Sequence, residues 1–105
     1  MLGEFEQLVL LAVLREGDEA YGVPVRRAIA DRSGRDVSLA AVYKTLTRLE
    51  EKGFVTAHVG EPTPERGGRR KRYYTVTVAG RRALRQSVEV LRRMSRGLDL
   101  GLESP

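Results

Sequence analysis

Cysteine is absent from these 105 residues, which excludes a disulfide framework and a thiolate zinc site. Histidine occurs once, as His58, inside FVTAHVG at 54–60. A lone imidazole in a short strand is more often solvated, or a neighbour of phosphate, than catalytic, because catalysis needs a partnered group in a cleft. No apolar run is long enough to span a bilayer. The N-terminal MLGEFEQLVLLAVL carries Glu4 and Glu6 and lacks the basic region of a signal peptide. A cytoplasmic location with no membrane partner is therefore expected. A phosphate-binding loop is missing too: GGRRK, 67–71, has neither the Walker spacing nor a preceding strand-to-helix context. The acidic pairs Asp18–Glu19 and Glu50–Glu51 fall at turns or helix ends, where their ordinary role is solvation. No catalytic residue, metal ligand or cofactor is expected, and an enzyme is not.

What the chain does have is positive charge. Its formal net charge is +5 and its pI about 10.1, a balance that suits nucleic acid or an acidic surface. The charge is concentrated. In ERGGRRKRYYTVT, 65–77, five cations (Arg66, Arg69, Arg70, Lys71 and Arg72) surround the pair Gly67–Gly68 and give way to aromatic and β-branched residues. A chain of this length buries a modest core, so pairing of two copies is a natural source of further burial.

Hydrophobic periodicity predicts the element order helix, helix, helix, hairpin, helix. Residues 4–17 form a first helix that is apolar almost all the way round, and such a helix needs more than one neighbour. A second helix covers roughly 21–33, with Pro24 in its first turn and Gly34 after its end. Ser38 caps a third helix over 38–53. Its core stripe is Leu39, Val42, Leu46 and Leu49; the opposite side carries Ala40, Ala41, Lys44, Thr47 and Arg48, with Tyr43 at the border. Residues 54–60 and 70–77 read as strands around the Pro- and Gly-rich loop EPTPERGG. Tyr74 and Val76 share one strand face, and Tyr73 and Thr75 the other. Thr77 caps a last helix, where Leu84, Val88, Leu91 and Leu98 form a coiled-coil-like seam widened by Val90 and Met94. That seam either folds back on the domain's own core or pairs with a second subunit.

Two helices joined by the short link 34–37 to a third with a small-residue face resemble a helix-turn-helix. The major groove of B-DNA admits one helix. Ser38, Ala41, Tyr43, Lys44, Thr47 and Arg48 are the candidate contacts on the third helix, with its N-terminal amides available to a phosphate. Arg66, Gly67, Gly68, Arg69, Arg70, Lys71, Arg72 and Tyr73 are the candidate contacts on a basic hairpin beside it, where glycine lets the tip approach closely. A winged helix that binds only protein is the alternative, and five clustered cations argue against it. Duplex RNA suits a recognition helix poorly, because its major groove is deep and narrow.

Three blocks carry a family resemblance: LVLLAVLREGDEAYGVPVRRAI at 8–29, SLAAVYKTLTRLEEKGFV at 38–55 and GGRRKRYYTVTVAGRRAL at 67–84. Together they resemble the PadR family of bacterial transcriptional regulators, in the short form with one C-terminal helix. The resemblance implies an α+β fold: a winged helix-turn-helix over 1–78 with its wing at about 60–70, a C-terminal dimerisation helix over 79–99 and a tail at 100–105. It also implies a homodimer on a roughly palindromic double-stranded operator, commonly as a repressor. The dimer interface expected from the seam and the first helix comprises Phe5, Leu8, Val9, Leu84, Val88, Leu91, Met94 and Leu98. Some short members bind planar aromatic ligands between subunits using tryptophan, which this chain lacks. Phe5, Leu8, Leu91 and Met94 are then the expected lining for any small-molecule effector, whose identity is unknown.

Overall fold

A computed structural model describes residues 2–61 and 70–101. The elements run α1 (Glu4–Glu16), a 3₁₀ turn (Gly17–Glu19), α2 (Gly22–Ser33), α3 (Leu39–Glu51), β1 (Val55–Val59), β2 (Arg72–Val76) and α4 (Val78–Ser95). The fold class is α+β: three helices enclose the core, a two-stranded antiparallel ribbon follows, and α4 packs back onto α1 and β2.

α1 is the central post. It packs against α2, α3, β2 and α4, so its apolar residues are needed on a wide arc. Val9 and Leu10 are fully enclosed, with Ala12 and Val13 beside them. Val9 is therefore a core residue of its own chain, a correction to its expected place in a dimer interface. Glu6 is the polar exception, 6% exposed. Its carboxylate accepts from Lys52 Nζ at 2.7 Å and from the Gly3 N–H at 2.8 Å. Burial pushes the Glu6 pKa up, but these two hydrogen bonds and the charges of Lys52 and Arg48 outweigh it and hold the carboxyl below its ordinary value. Glu6 thus bolts the start of α1 to the end of α3. Glu4 pairs with Arg35.

α2 ends at Gly34, whose φ of +73° is the left-handed cap that glycine supplies without a Cβ clash. The link to α3 is held by Arg26, which donates to the Val37 carbonyl at 2.7 Å and lies 3.7 Å from Asp36. On α3, Val42, Leu46 and Leu49 are fully buried, as the stripe requires, and Leu39 is half-buried.

The strands pair from Val55↔Val76 to Val59↔Arg72. Each is shorter than expected, because pairing begins after Phe54 and ends before Thr77. Val55, Tyr74 and Val76 enter the core. Thr77 fastens the lower end: its N–H donates to the Phe54 carbonyl at 3.0 Å, its hydroxyl donates to the Gly53 carbonyl at 2.7 Å, and the same oxygen accepts from the Gly80 N–H at 3.0 Å. The Tyr74 N–H donates to the Ala20 carbonyl at 2.8 Å, tying the ribbon to the start of α2.

α4 divides into two halves. Leu84 and Ser87 are buried against the body, which corrects Leu84 from an interface residue to a core residue. Beyond them exposure climbs, with Val88 at 37%, Leu91 at 61% and Met94 at 73%. The helix ends at Ser95, so Leu98 lies past its end rather than on a continuing seam.

Candidate nucleic-acid interface

α3 presents the surface expected of it. The Ser38 hydroxyl accepts from the Ala41 N–H at 3.0 Å and starts the helix. Lys44, Thr47 and Arg48 are exposed on one side, where with Glu51 they line a shallow depression. Neither Lys44 nor Arg48 enters an ion pair among the described residues. Ala41 is half-buried beside them. Tyr43 is 38% exposed, and its ring rests on the start of α2. A Cβ on Gly22 would lie 2.3 Å from the Tyr43 Cζ, so Gly22 is the space into which this ring fits.

The ribbon sorts its basic segment by strand alternation. Arg72 and Tyr74 face α3: the Arg72 guanidinium donates to both Glu50 carboxylate oxygens at 3.1 Å and sits 5.9 Å from the Tyr74 ring centroid. The hydrogen bonds to Glu50 raise the Arg72 pKa. Burial raises that of Tyr74, with Arg72 opposing. Lys71 and Tyr73 face the other way. Lys71 Nζ lies 4.7 Å from the Tyr21 ring centroid, and the Tyr73 ring meets Tyr21 edge-on at 5.6 Å. His58 stacks on Tyr73 at 5.5 Å, so the single histidine belongs to an aromatic cluster at the ribbon's root. Arg70 is exposed. Arg66, Gly67, Gly68 and Arg69 lie outside the described residues.

α3 and β2 therefore place Lys44, Thr47, Arg48 and the root of the basic hairpin on adjoining elements. Sequence reasoning missed Glu50, Tyr21, Gly22 and Arg26. Strand alternation, carried back from Tyr73–Val76, could have separated Arg72 from Lys71, but nothing local pointed to Glu50 as the partner. Among the described residues there is no group of three or more His, Cys, Asp or Glu side chains able to hold a metal, and no helix long and apolar enough to cross a membrane.

Of the residues expected at a dimer interface, Phe5 and Leu8 are half-buried, while Val88, Leu91, Met94 and Leu98 are exposed. The expected effector lining of Phe5, Leu8, Leu91 and Met94 is not assembled within one chain. Leu8 lines a groove of about 360 Å³ between α1 and α2, whereas Leu91 and Met94 sit on the free half of α4. A separate groove of about 730 Å³ runs between Leu2, Phe54 and the α4 residues Ala83, Gln86 and Val90.

Comparison with known proteins gives consistent matches. A model of the transcriptional regulator PadR-like family matches residues 10–86. An uncharacterized protein of Lysinibacillus sphaericus is 27% identical over 103 residues, covering 96% of this chain and 90% of that protein. A PadR family transcription regulator from Clostridium difficile has the same fold, with a TM-score of 0.73 at 21% identity over 94% of this chain and 99% of that one. A PadR family transcriptional regulator from Eggerthella lenta gives a TM-score of 0.68 at 25% identity, covering 97% and 88%.

Proposed function

The chain belongs to the PadR-like family of transcriptional regulators, and from that membership we propose that it is a non-enzymatic regulator that binds double-stranded DNA as a homodimer. In this reading residues 1–78 form a winged helix-turn-helix, with α3 as the recognition helix and the wing at about 60–70. Residues 79–99 carry the dimer contact and 100–105 a tail. Two copies of α3 related by a two-fold axis read a palindromic operator in the cytoplasm and repress the adjoining gene.

One observation carries the proposal: Lys44, Thr47 and Arg48 share the exposed side of a Ser38-capped helix, and the two cations have no ion pair there. Arg48 also lends its charge to Glu6, but neither cation is held within ion-pairing distance of a carboxylate among the described residues, so both are available to base edges or phosphates. Ala41 supplies little bulk at the same surface, and Tyr43 and Ser38 flank it. Arg70 is exposed just before the ribbon begins, which supports reading it as a contact to the DNA backbone alongside. The half of α4 bearing Val88, Leu91 and Met94 supports pairing, since an apolar stripe left in water on a short chain is a cost that a second copy removes.

A two-fold dimer of this kind reads half-sites about 34–36 Å apart, or a multiple of that. The test is binding-site selection from random duplexes with the wild type, Lys44→Ala and Arg48→Ala. A base contact shows as relaxed preference in the variant, by about 1–3 kcal/mol against a wrong base. A phosphate contact shows as uniform weakening on every sequence. If the wild type enriches no motif, sequence-specific DNA binding fails and a protein-binding winged helix takes its place.

A further inference from the structure

A two-stranded ribbon has little stiffness of its own, and here each strand has five residues. Its lower end is fastened by Thr77, and its middle by the Tyr74 N–H. At its outer end, past the Val59↔Arg72 pair, the Gly60 N–H still donates to the Lys71 carbonyl at 2.8 Å. There the last turn of α3 meets the strand: Glu50 receives two hydrogen bonds from Arg72, and the Tyr74 ring lies beside the guanidinium.

We propose that Glu50 and Arg72 are a positioning pair that sets the direction of the ribbon's outer end relative to the recognition helix, so that α3 and Arg70 beside it engage one operator half-site together. The proposal rests on the DNA-binding function argued above and reassigns two residues within it. Arg72 belongs to the basic run, yet its charge is matched by a carboxylate and adds little to phosphate neutralisation. Glu50 is an acid beside a surface that meets a polyanion. As a bystander it repels DNA, and its removal tightens binding. As a positioning residue it holds β2 at Arg72, and its removal weakens binding. One substitution therefore gives opposite signs for the two roles. The root is also braced on the far face, by Tyr73 and Lys71 against Tyr21. Loss of the pair accordingly turns the outer end of the ribbon rather than unfolding it.

The experiment titrates the full chain against its selected duplex operator at several salt concentrations. It compares wild type, Glu50→Ala, Glu50→Gln, Arg72→Ala and the charge swap Glu50→Arg with Arg72→Glu. Each single variant should bind about five-fold more weakly or worse, the scale of one well-aligned exposed pair, and the Glu50 and Arg72 variants should share one salt slope, because each releases the same strand. The swap should recover most of the loss. Melting temperature should barely move, because the pair is exposed, and recovery by the swap shows that weakened binding is not lost folding. Unchanged or tighter binding by Glu50→Ala and Glu50→Gln overturns the proposal. So does a salt slope shallower by about 0.9 in Arg72→Ala than in Glu50→Ala, which makes Arg72 a phosphate ligand instead. A wild type that binds no duplex removes the DNA-binding function itself, and the positioning role with it.

Discussion

Gly80 stands in the first turn of α4, where helix propensity alone favours alanine by about 1 kcal/mol. The tertiary structure argues the reverse. An alanine Cβ at this position would lie 2.2 Å from the Phe54 carbonyl oxygen and 2.9 Å from the Val76 Cγ1. Carbon–oxygen contacts are already close at about 3.3 Å, so the helix or the strand would have to move by about 1 Å. The obstructing oxygen is backbone, and it accepts the Thr77 N–H at 3.0 Å, so it cannot swing aside as a side-chain tip could. Overpacking of this kind costs roughly 1–3 kcal/mol. Straining the Thr77 bond costs about 1 kcal/mol more, which offsets the propensity gain. Gly80→Ala should therefore destabilise by about 2 kcal/mol, and at about 4–8 °C per kcal/mol for a domain of this size the melting point should fall by roughly 8–16 °C. The assay is thermal unfolding followed by helical circular dichroism, at one fixed protein concentration so that self-association does not shift the midpoint. Ala79→Gly, at an exposed neighbouring position, reports the propensity term by itself. A Gly80→Ala protein as stable as wild type, or more so, refutes the close approach of α4 to the Phe54 carbonyl.

Lys52→Ala should cost about 1–3 kcal/mol at neutral pH, because it leaves the buried Glu6 carboxylate without its ammonium. In the wild type the Glu6 pKa is depressed, so its contribution is full above the ordinary carboxylate range and fades as pH falls through the lower folded value. Urea unfolding across the acid range should show the gap between wild type and variant closing as Glu6 protonates; a gap independent of pH rejects the pairing. Gly22→Ala should leave the melting point nearly unchanged, since the Tyr43 ring can swing away, yet weaken DNA binding by displacing that ring. Undiminished operator affinity in that variant would take Tyr43 out of the interface. Leu91 is 61% exposed in the single chain, so Leu91→Asp should fold normally while abolishing pairing, because association would bury an unpaired charge. Light scattering should give close to 11.7 kDa for the variant and twice that for the wild type; equal masses reject α4 as the contact.

Much of this molecule is legible along the chain, because its signals are local. The Ser38 cap, the stripe Val42–Leu46–Leu49 and the exposed Lys44 and Arg48 follow from positions three and four apart on one helix. The inward Tyr74 and Val76 follow from a period of two, and the Thr77 cap from its place before an amphipathic run. Gly34 marks the end of α2 by the backbone angle it adopts. These features depend on residues close in sequence, so periodicity and residue type suffice.

The remainder is decided by packing between elements. α1 is apolar on nearly every side, which fits a partner subunit as well as its own fold; only the surrounding α2, α3, β2 and α4 make Val9 a core residue. The seam of α4 is continuous in sequence, yet Leu84 is enclosed and Leu91 is not, because the body ends part-way along the helix. Lys52 sits forty-six positions from Glu6 and Arg72 twenty-two from Glu50, and each carboxylate could equally be a solvated surface charge when read alone. Spacing along a chain carries no information about which distant charges meet. Only the docking of α3 against α1 brings Glu6 to Lys52, and only that of the ribbon against α3 brings Glu50 to Arg72.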